Sequence, residues 1–488
     1  MHFSVASTVA ALDSAGLLAG VRGTLPEFVD GVWDDSRRVR PGSLFIAIRG
    51  AVHDGHDYLD RARELGASAV LVEDATRTSL PAIIVKEGRK AAAIAAGEAY
   101  GNPSREVRTI GITGTNGKST TVGILRHLLD QPGSRSASIG TLGVLLGTEA
   151  EIVPGGTELT TPGPVELQRV LRDLVNRGAK TVAMEVSSHS LDQRRIDGLS
   201  FDAAVFTNFT RDHLDYHHTM EAYLAAKASL IGYLKPRGSA AINIDDRGWD
   251  ALPDTRRKIT FGVAVGADVR ATDVVFSASG SKWNVHHDGE SHAVRLPLIG
   301  DVNVHNALGA LAVAITLGLN LGDVAACLTL LPQVPGRLEV ISKRPVVLRD
   351  YAHTPDAMRR LLAAIRPFTS GRLIIVFGCG GDRDRGKRPE MGRAAELGAD
   401  VVIVTSDNPR TEDPERILDD IEAGMKSRAH LRIENRREAI DRALAESRDG
   451  DVILLAGKGH EIYQIRGTVK APFDEKQVVV ELLAERGT

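Results

Sequence analysis

The chain has 488 residues, 43% of them hydrophobic and 25% charged, with a formal net charge of −3. That length exceeds one hydrophobic core and predicts about three domains, while the near-neutral balance excludes a global drive toward nucleic acid or anionic membrane. Two distant cysteines, Cys327 and Cys379, lack metal-ligand spacing, which argues against a disulfide framework and fits a reducing cytosol. The start, Met1-His2-Phe3-Ser4, has no basic region leading into an apolar stretch, and no window reaches the roughly 18 apolar residues of a membrane span. A cytoplasmic location is expected.

Short β-rich runs alternate with helical patterns along the whole chain, which predicts an α/β fold. Strands are expected at 43–48, 69–72 and 83–85, with alanine-rich helices near 59–66 and 89–99. Gly101-Asn102-Pro103-Ser104 then breaks the chain, so a boundary falls near residue 106. An apolar run at 107–112 enters Gly111-Ile-Thr-Gly-Thr-Asn-Gly-Lys-Ser-Thr-Thr121, and a helix follows to 129. Glycines admit backbone N–H groups to phosphates, a helix N-terminus favours negative charge, and a lysine plus a hydroxyl reach phosphate and Mg²⁺. The spacing departs from the strict phosphate-loop pattern, because Ile112 stands where its first glycine belongs. The strand-turn-helix context still predicts an ATP site.

Further strands are expected at 181–186, 204–207 and 240–244, then a polar β-rich excursion at about 258–298 and a helix over 303–317. Glu185 ends an apolar strand, where open α/β sheets place ligand and metal groups; it is either a Mg²⁺ ligand or a solvated strand end. Residues 207–218 crowd Asp212, His213, Asp215, His217 and His218 into one loop. Magnesium prefers oxygen, so a histidine there would more naturally position phosphate or water. Lys227 lies in an apolar helical stretch, 223–231, with Leu224, Ala228 and Ile231 on its face. It either snorkels from that face or sits desolvated with a lowered pKa, able to react. Pro332 and Pro335-Gly336 mark the next boundary, near 334. Beyond it, strands are expected at 346–350, 373–377, 401–405 and 452–456. Three of them end in polar clusters: Gly378 to Pro389, Asp407-Asn408-Pro409-Arg410, and Gly457-Lys458-Gly459-His460-Glu461. Single helix caps do not account for all three, which predicts a second polar pocket able to grip a zwitterion.

Taken together, the motifs resemble the Mur ligases, ATP-dependent amide-forming enzymes of peptidoglycan precursor synthesis. Gly-Thr-Asn-Gly-Lys-Ser-Thr (114–120) is similar to that family's own phosphate loop. Glu-Val-Ser-Ser-His (185–189), Thr-Asn-Phe-Thr-Arg-Asp-His-Leu-Asp-Tyr-His (207–217) and Ala-Ala-Lys (225–227) follow in the family's order. So do Asp-Tyr-Ala-His-Thr-Pro-Asp (350–356), Gly-Cys-Gly-Gly-Asp-Arg-Asp (378–384) and Gly-Lys-Gly-His-Glu (457–461), and the likeness runs from about residue 30 beyond 470. The resemblance implies three domains: 1–106 for UDP-MurNAc, a central ATPase at 107–334 with a mostly parallel sheet, and a Rossmann-like amino-acid domain at 335–488. Among the branches it is most similar to the one that adds the third residue to UDP-MurNAc-L-Ala-D-Glu.

The site residues follow from that resemblance. Ser36 and the segment Ala51, Val52 and His53 would hold the UDP-sugar, and Thr160, Thr161, Ser187, Gln193 and Arg195 the UDP-MurNAc-dipeptide. Gly114, Thr115, Asn116, Gly117, Lys118, Ser119 and Thr120 would bind ATP, with Asn303, Asn306, Arg337 and Asp350 around the nucleotide. Ser119, Glu185, His213 and Lys227, the last as an N-carboxylated (carbamate) lysine, would lie at the magnesium ions. Lys118, Lys227 and His213 are the expected catalytic residues. Arg383, Asp407, Asn408, Pro409, Arg410, Gly457 and Glu461 would receive the incoming amino acid, expected to be meso-diaminopimelate because a guanidinium at Arg410 suits its distal carboxylate. The alternatives are a lysine-adding member of the same family and a non-catalytic nucleotide-binding protein; retention of Lys118, Glu185 and Lys227 speaks against the latter. Folylpolyglutamate synthases share the loop and the chemistry but would not call for the UDP-sugar residues. No nucleic-acid partner and a monomer are expected.

Overall fold

A computed structural model describes residues 2–50, 53–156, 159–277, 279–427 and 429–487. The chain forms two compact units, residues 1–269 with 306–320, and residues 270–305 with 321–488. Three mostly parallel α/β sheets lie within them, two in the first unit and one in the second, giving the expected three-domain α/β class.

The first unit opens with helix α1 (Val5–Ser14), whose first turn is capped by the Ser4 side chain. Strands β1 (Leu18–Arg22), β2 (Val32–Trp33), β3 (Leu44–Ile46), β4 (Ala69–Val72) and β5 (Ala82–Val85) form a five-stranded sheet in the order β1-β5-β4-β3-β2. Only β1 runs antiparallel to its neighbour. Helix α2 (Gly88–Ala99) covers this sheet through a run of buried alanines, whose small side chains allow close approach.

The second sheet is built on β6 (Arg108–Thr113), which leads into helix α3 (Lys118–Leu129). It continues with β7 (Arg135–Gly140), β8 (Gly143–Leu146), β9 (Glu151–Ile152), helix α4 (Pro164–Asn176), β10 (Ala179–Glu185) and helix α5 (Ser188–Asp192). Strand β11 (Phe201–Phe206), helix α6 (Met220–Ala228), β12 (Leu234–Asn243) and β13 (Lys258–Gly262) complete it, in the order β9-β8-β7-β10-β6-β11-β12-β13. Taken across the sheet, β7, β10, β6, β11, β12 and β13 run parallel, and the central β10 and β11 are buried along nearly their whole length. Register sets Glu185 beside Ile112 and Phe206 beside Thr113, so three carboxyl ends finish level with the glycine loop. Val165 of α4 joins the core of the five-stranded sheet, and Arg172 donates to the Tyr100 carbonyl at 2.9 Å, so the two sheets of this unit are braced together.

In the second unit, strands β14 (Val269–Ser277), β15 (Gly280–His287) and β16 (Glu290–Leu296) form an antiparallel meander. The third sheet comprises β17 (Glu339–Lys343), β18 (Val346–Asp350), β19 (Leu373–Phe377), β20 (Val401–Val404), β21 (Leu431–Arg432) and β22 (Val452–Ala456). Its order is β17-β18-β22-β19-β20-β21, parallel except for β17. Alternate residues of one strand enter opposite cores: Ile375 and Phe377 pack on one face, Ile374 and Val376 on the other. A hairpin of β23 (Tyr463–Arg466) and β24 (Val469–Pro472) follows β22. No helix of the described residues is long and apolar enough to cross a membrane.

One element differs from its sequence pattern. The helical stretch expected over 223–231 stops with α6 at Ala228 and tightens into a 3₁₀ turn, Ser229–Tyr233. Ser229 bonds back to the Ala226 carbonyl at 2.7 Å, a local bond that competes with continuing the helix. Ile231 therefore does not share a helical face with Lys227.

Candidate active site

The glycine loop takes its shape from two close approaches. Gly114 has φ of +148°, and a Cβ there would fall 1.9 Å from Thr207 Oγ1. Gly117 has φ of +85°, and a Cβ would fall 2.2 Å from Asn306 Oδ1. The loop is pinned from the end of β11: the Thr115 N–H donates to the Asn208 carbonyl at 2.8 Å, and the Asn116 N–H to Asn208 Oδ1 at 2.8 Å. Thr207 Oγ1 donates to the Asn116 carbonyl at 2.7 Å. Lys118 Nζ lies across the loop, donating to the carbonyls of Gly114 and Thr115 at 2.8 and 2.9 Å. Ser119 and Thr120 are buried in the first turn of α3. Gly114→Ala is therefore expected to weaken nucleotide binding at least ~10-fold and to cost about 1–3 kcal/mol of stability through backbone strain. Calorimetric titration with ATP and thermal unfolding check this; unaltered affinity would mean the loop does not seat phosphate.

Lys227 is 1% exposed, so it does not snorkel. Its Nζ donates to the Gly114 carbonyl at 2.7 Å and lies 4.6 Å from the centre of the Tyr223 ring, one helical turn earlier. Burial, reinforced by the Lys118 ammonium, pushes its pKa well below the usual lysine range, so the neutral amine is favoured. Glu185, 2% exposed at the end of β10, accepts from the Thr141 N–H at 2.8 Å and from Thr141 Oγ1 at 3.3 Å. His213 is exposed, adopts φ of +52°, and edges against His189 at 4.8 Å between ring centres. His189 also stacks on Tyr216 at 4.2 Å, and burial pushes its pKa down to about 4, so the ring is neutral at pH 7.

The expected dipeptide residues come together beside Glu185. Thr161 Oγ1 donates to the Glu185 carbonyl at 2.8 Å and accepts from the Ser187 N–H at 3.1 Å. Arg195 donates to the Thr161 carbonyl at 3.0 Å and to Gln193 Oε1 at 2.6 Å. Gln193 in turn donates to the Tyr216 hydroxyl at 3.2 Å, and Thr141 Oγ1 bonds Thr160 Oγ1 at 3.3 Å. In the smaller sheet's domain, Ser36 opens a 3₁₀ turn capped by Asp35, and the exposed His53 accepts the Gly50 N–H through its carbonyl at 2.8 Å. Ala51 and Val52 lie outside the described residues.

Next to Asp35, burial pushes the Asp34 carboxyl up to about 6. The unfolded chain loses this proton near pH 4 while the folded protein still binds it, so stability falls as pH rises from about 4 to about 6. Asp34→Asn is expected to raise stability at pH 7 by about 2–3 kcal/mol and to flatten that pH dependence. Denaturant unfolding at pH 4 and pH 7 measures both.

The second unit gathers the other polar cluster. Asn408 Nδ2 donates to Glu461 Oε2 at 2.7 Å, and Asn408 Oδ1 accepts from the Ile465 N–H at 2.9 Å. Lys458, fully buried, donates to Asn408 Oδ1 and to Glu461 Oε2, each at 3.2 Å. Asp407 Oδ2 lies so near Gly457 that a Cβ there would meet it at 2.5 Å. Arg410, at φ of +53°, donates to the Gly381 carbonyl at 2.8 Å, and both it and the exposed Arg383 come within 4 Å of where a Cβ would stand at Gly380. Pro409 packs beneath: its carbonyl would meet a Cβ at Gly381 at 1.8 Å. Two buried guanidinium groups fix the floor. Arg388 binds Glu412, Asp420 and the Gly380 carbonyl. Arg436 pairs with the fully buried Glu475 at 2.7 Å and donates to the carbonyls of Ser406 and Ala456. Also in this unit, Arg337 stacks on Tyr351 at 4.7 Å, and Asp350 accepts the N–H groups of Leu338 and Ala352 while burial pushes its carboxyl pKa up. Asn303 belongs to this unit and donates to the Ile299 carbonyl at 2.8 Å, whereas Asn306 belongs to the first.

The sequence patterns single out none of Thr141, Asn208, Tyr223, Tyr216 and Lys458 for a role, although all but Thr141 stand inside or one turn from a motif. Thr141 follows a strand separated from Glu185 by 44 residues, and nothing local marks it.

Together, the fold and site define an ATPase-type phosphate-loop core joined to a doubly wound domain with a polar pocket, the layout of an amide-forming ligase. Residues 112–314 match the Mur ligase middle domain, 336–459 the Mur ligase glutamate ligase domain, and 29–105 the Mur ligase family catalytic domain. The chain belongs to the Mur ligase family. It is 42% identical to the UDP-N-acetylmuramoyl-L-alanyl-D-glutamate--2,6-diaminopimelate ligase of Geobacter metallireducens, over 95% of this chain and 96% of that one. It is 44% identical to the ligase of the same name from Chlorobaculum tepidum, over 94% and 93% of the two chains. A solved structure of a ligase of that name superposes with a TM-score of 0.67 at 34% identity, covering 95% of this chain and 96% of that one.

Proposed function

We propose that the chain adds meso-diaminopimelate to the D-Glu of UDP-MurNAc-L-Ala-D-Glu at the expense of ATP, in the cytoplasm. The observation that carries this reading is the strand edge where the glycine loop, Glu185 and the buried amine of Lys227 converge, beside the Thr161–Ser187–Arg195 network. Relatives named for this reaction, aligned over nearly the whole chain, support the choice of substrates. Residues 1–106 would hold the UDP-sugar, 107–334 ATP, and 335–488 the amino acid, in a monomer.

In this reading a γ-carboxylate oxygen of D-Glu attacks the terminal phosphorus of ATP, and ADP departs. The amine then attacks the acyl carbon of the acyl phosphate, loses a proton, and phosphate leaves. Lys118 and the loop N–H groups neutralise and align the phosphates, while Gln193 and Arg195 orient the dipeptide. Among the described residues, no group of three or more His, Cys, Asp or Glu side chains is arranged to hold a metal. Magnesium fits nonetheless: Ser119 and Glu185 offer oxygen, a carbamate on Lys227 would offer more, and Mg²⁺ commonly takes one or two carboxylates plus phosphate and water. Its contribution when bound is charge neutralisation on the transferring phosphate. His213, a nitrogen donor, suits phosphate or water better than the ion. Phosphate release with ATP and UDP-MurNAc-L-Ala-D-Glu, started by diaminopimelate or by lysine, tests the proposal. Release that needs neither amino acid would leave a nucleotide-binding ATPase, and equal use of both would favour the lysine-adding alternative.

A further inference from the structure

Lys458 is a lysine enclosed by protein. Its ammonium donates to two side chains, Asn408 Oδ1 and Glu461 Oε2, and lies 5.8 Å from the centre of the Tyr463 ring. Those two are themselves joined at 2.7 Å, so lysine, amide and carboxylate close a triangle. Within it, Asn408 is oriented without ambiguity: its oxygen accepts from Lys458 and from the Ile465 N–H, which forces its nitrogen toward Glu461. Glu461 spends Oε2 on both partners, and among the described residues Oε1 makes no hydrogen bond. The second carboxylate of the cluster, Asp407, is 8% exposed. Without the ammonium, the Glu461 carboxylate would keep only the Asn408 amide as a side-chain hydrogen-bond partner among the described residues.

We infer that Lys458 is the positioning residue of this pocket: it holds Glu461 with one oxygen turned to the ammonium of the incoming amino acid, and locks Asn408 in the orientation that reads it. Lys458 touches no substrate; it acts through Glu461 and Asn408. The inference rests on the reading of this cluster as the amino-acid site.

Steady-state kinetics with the full-length enzyme test it, using diaminopimelate as the varied substrate. Lys458→Met is expected to raise KM for diaminopimelate by on the order of thirtyfold or more, as expected when one partner of a buried charge pair is removed. The dissociation constant for ATP should stay within about twofold, since the phosphate loop is a separate structure, and a purely structural defect would not spare it. In combination with Glu461→Gln the two effects on KM should be far from additive, because they remove the same interaction. Lys458→Gln, which keeps a donor but not the charge, should fall between wild type and Lys458→Met. Additive effects, or a KM unchanged in either lysine variant, overturn the inference. If both lysine variants fail to fold, Lys458 is a stability residue and the inference is wrong. Wild-type enzyme that diaminopimelate does not saturate would remove the pocket reading and this inference with it, whereas saturable wild type with indifferent variants would remove the inference alone.

Discussion

Replacing Lys227 by alanine is expected to lower kcat/KM by on the order of a thousandfold, the scale of losing one preorganised charge-stabilising group. The buried amine is held by the Gly114 carbonyl at 2.7 Å and lies against the face of Tyr223, and burial shifts its pKa down, toward the nucleophilic neutral amine. Carbon dioxide can then add: the Nζ–carbon bond forms, one proton leaves the nitrogen, and a neutral amine becomes an anionic oxygen donor. Short carboxylic acids should restore part of the lost activity in Lys227→Ala by occupying the space of the carbamate. Carbon-13 bicarbonate should label wild-type enzyme and not the variant. Near-normal turnover in Lys227→Ala would reduce this lysine to a brace for the loop carbonyl.

Arg410→Ala is expected to erase a preference for diaminopimelate over lysine that is on the order of a hundredfold in the wild type. The reasoning is one of unpaired charge. Diaminopimelate carries a distal carboxylate that a guanidinium can grip with two parallel bonds. Lysine leaves that guanidinium without its partner, at about 2–5 kcal/mol, and every 1.4 kcal/mol is roughly tenfold. The turn supplies the geometry: Arg410 sits at positive φ and is tied to the Gly381 carbonyl, with Arg383 close by. Competition between the two amino acids, read as kcat/KM ratios, measures the effect, and ATP binding should be untouched. A wild type indifferent to the distal carboxylate would refute the specificity while leaving the ligase intact.

Much of this was legible in the residues, for identifiable reasons. Strands such as 69–72, 373–377 and 452–456 coincide with the observed elements because a parallel strand buried on both faces must be apolar throughout. The phosphate loop was legible because Gly114 and Gly117 stand where any side chain would collide. The state of Lys227 was not. A snorkelling lysine and a buried one share the same helical pattern, and what separates them is a carbonyl 113 residues away. The early stop of α6 was hidden for a related reason, since a serine back-bond decides it while the apolar pattern runs on. Thr141 and the Lys458 triangle depend on partners that meet only in the folded chain.

The two guanidinium groups beneath the proposed amino-acid pocket bear on how this enzyme could change over evolutionary time. Arg436 holds the carbonyls of Ser406 and Ala456, one residue before Asp407 and Gly457, while Arg388 holds the Gly380 carbonyl together with Glu412 and Asp420. The paths of all three loops are thus set by internal bonds that no substrate supplies. Arg383 is exposed above this floor, and Arg410 is tied to it by one carbonyl. New selectivity can therefore arise by exchanging what stands at those two positions, with the scaffold inherited unaltered. Changes at Arg388 or Arg436 would instead dismantle the pocket for every amino acid at once, so drift in this domain is confined to its rim.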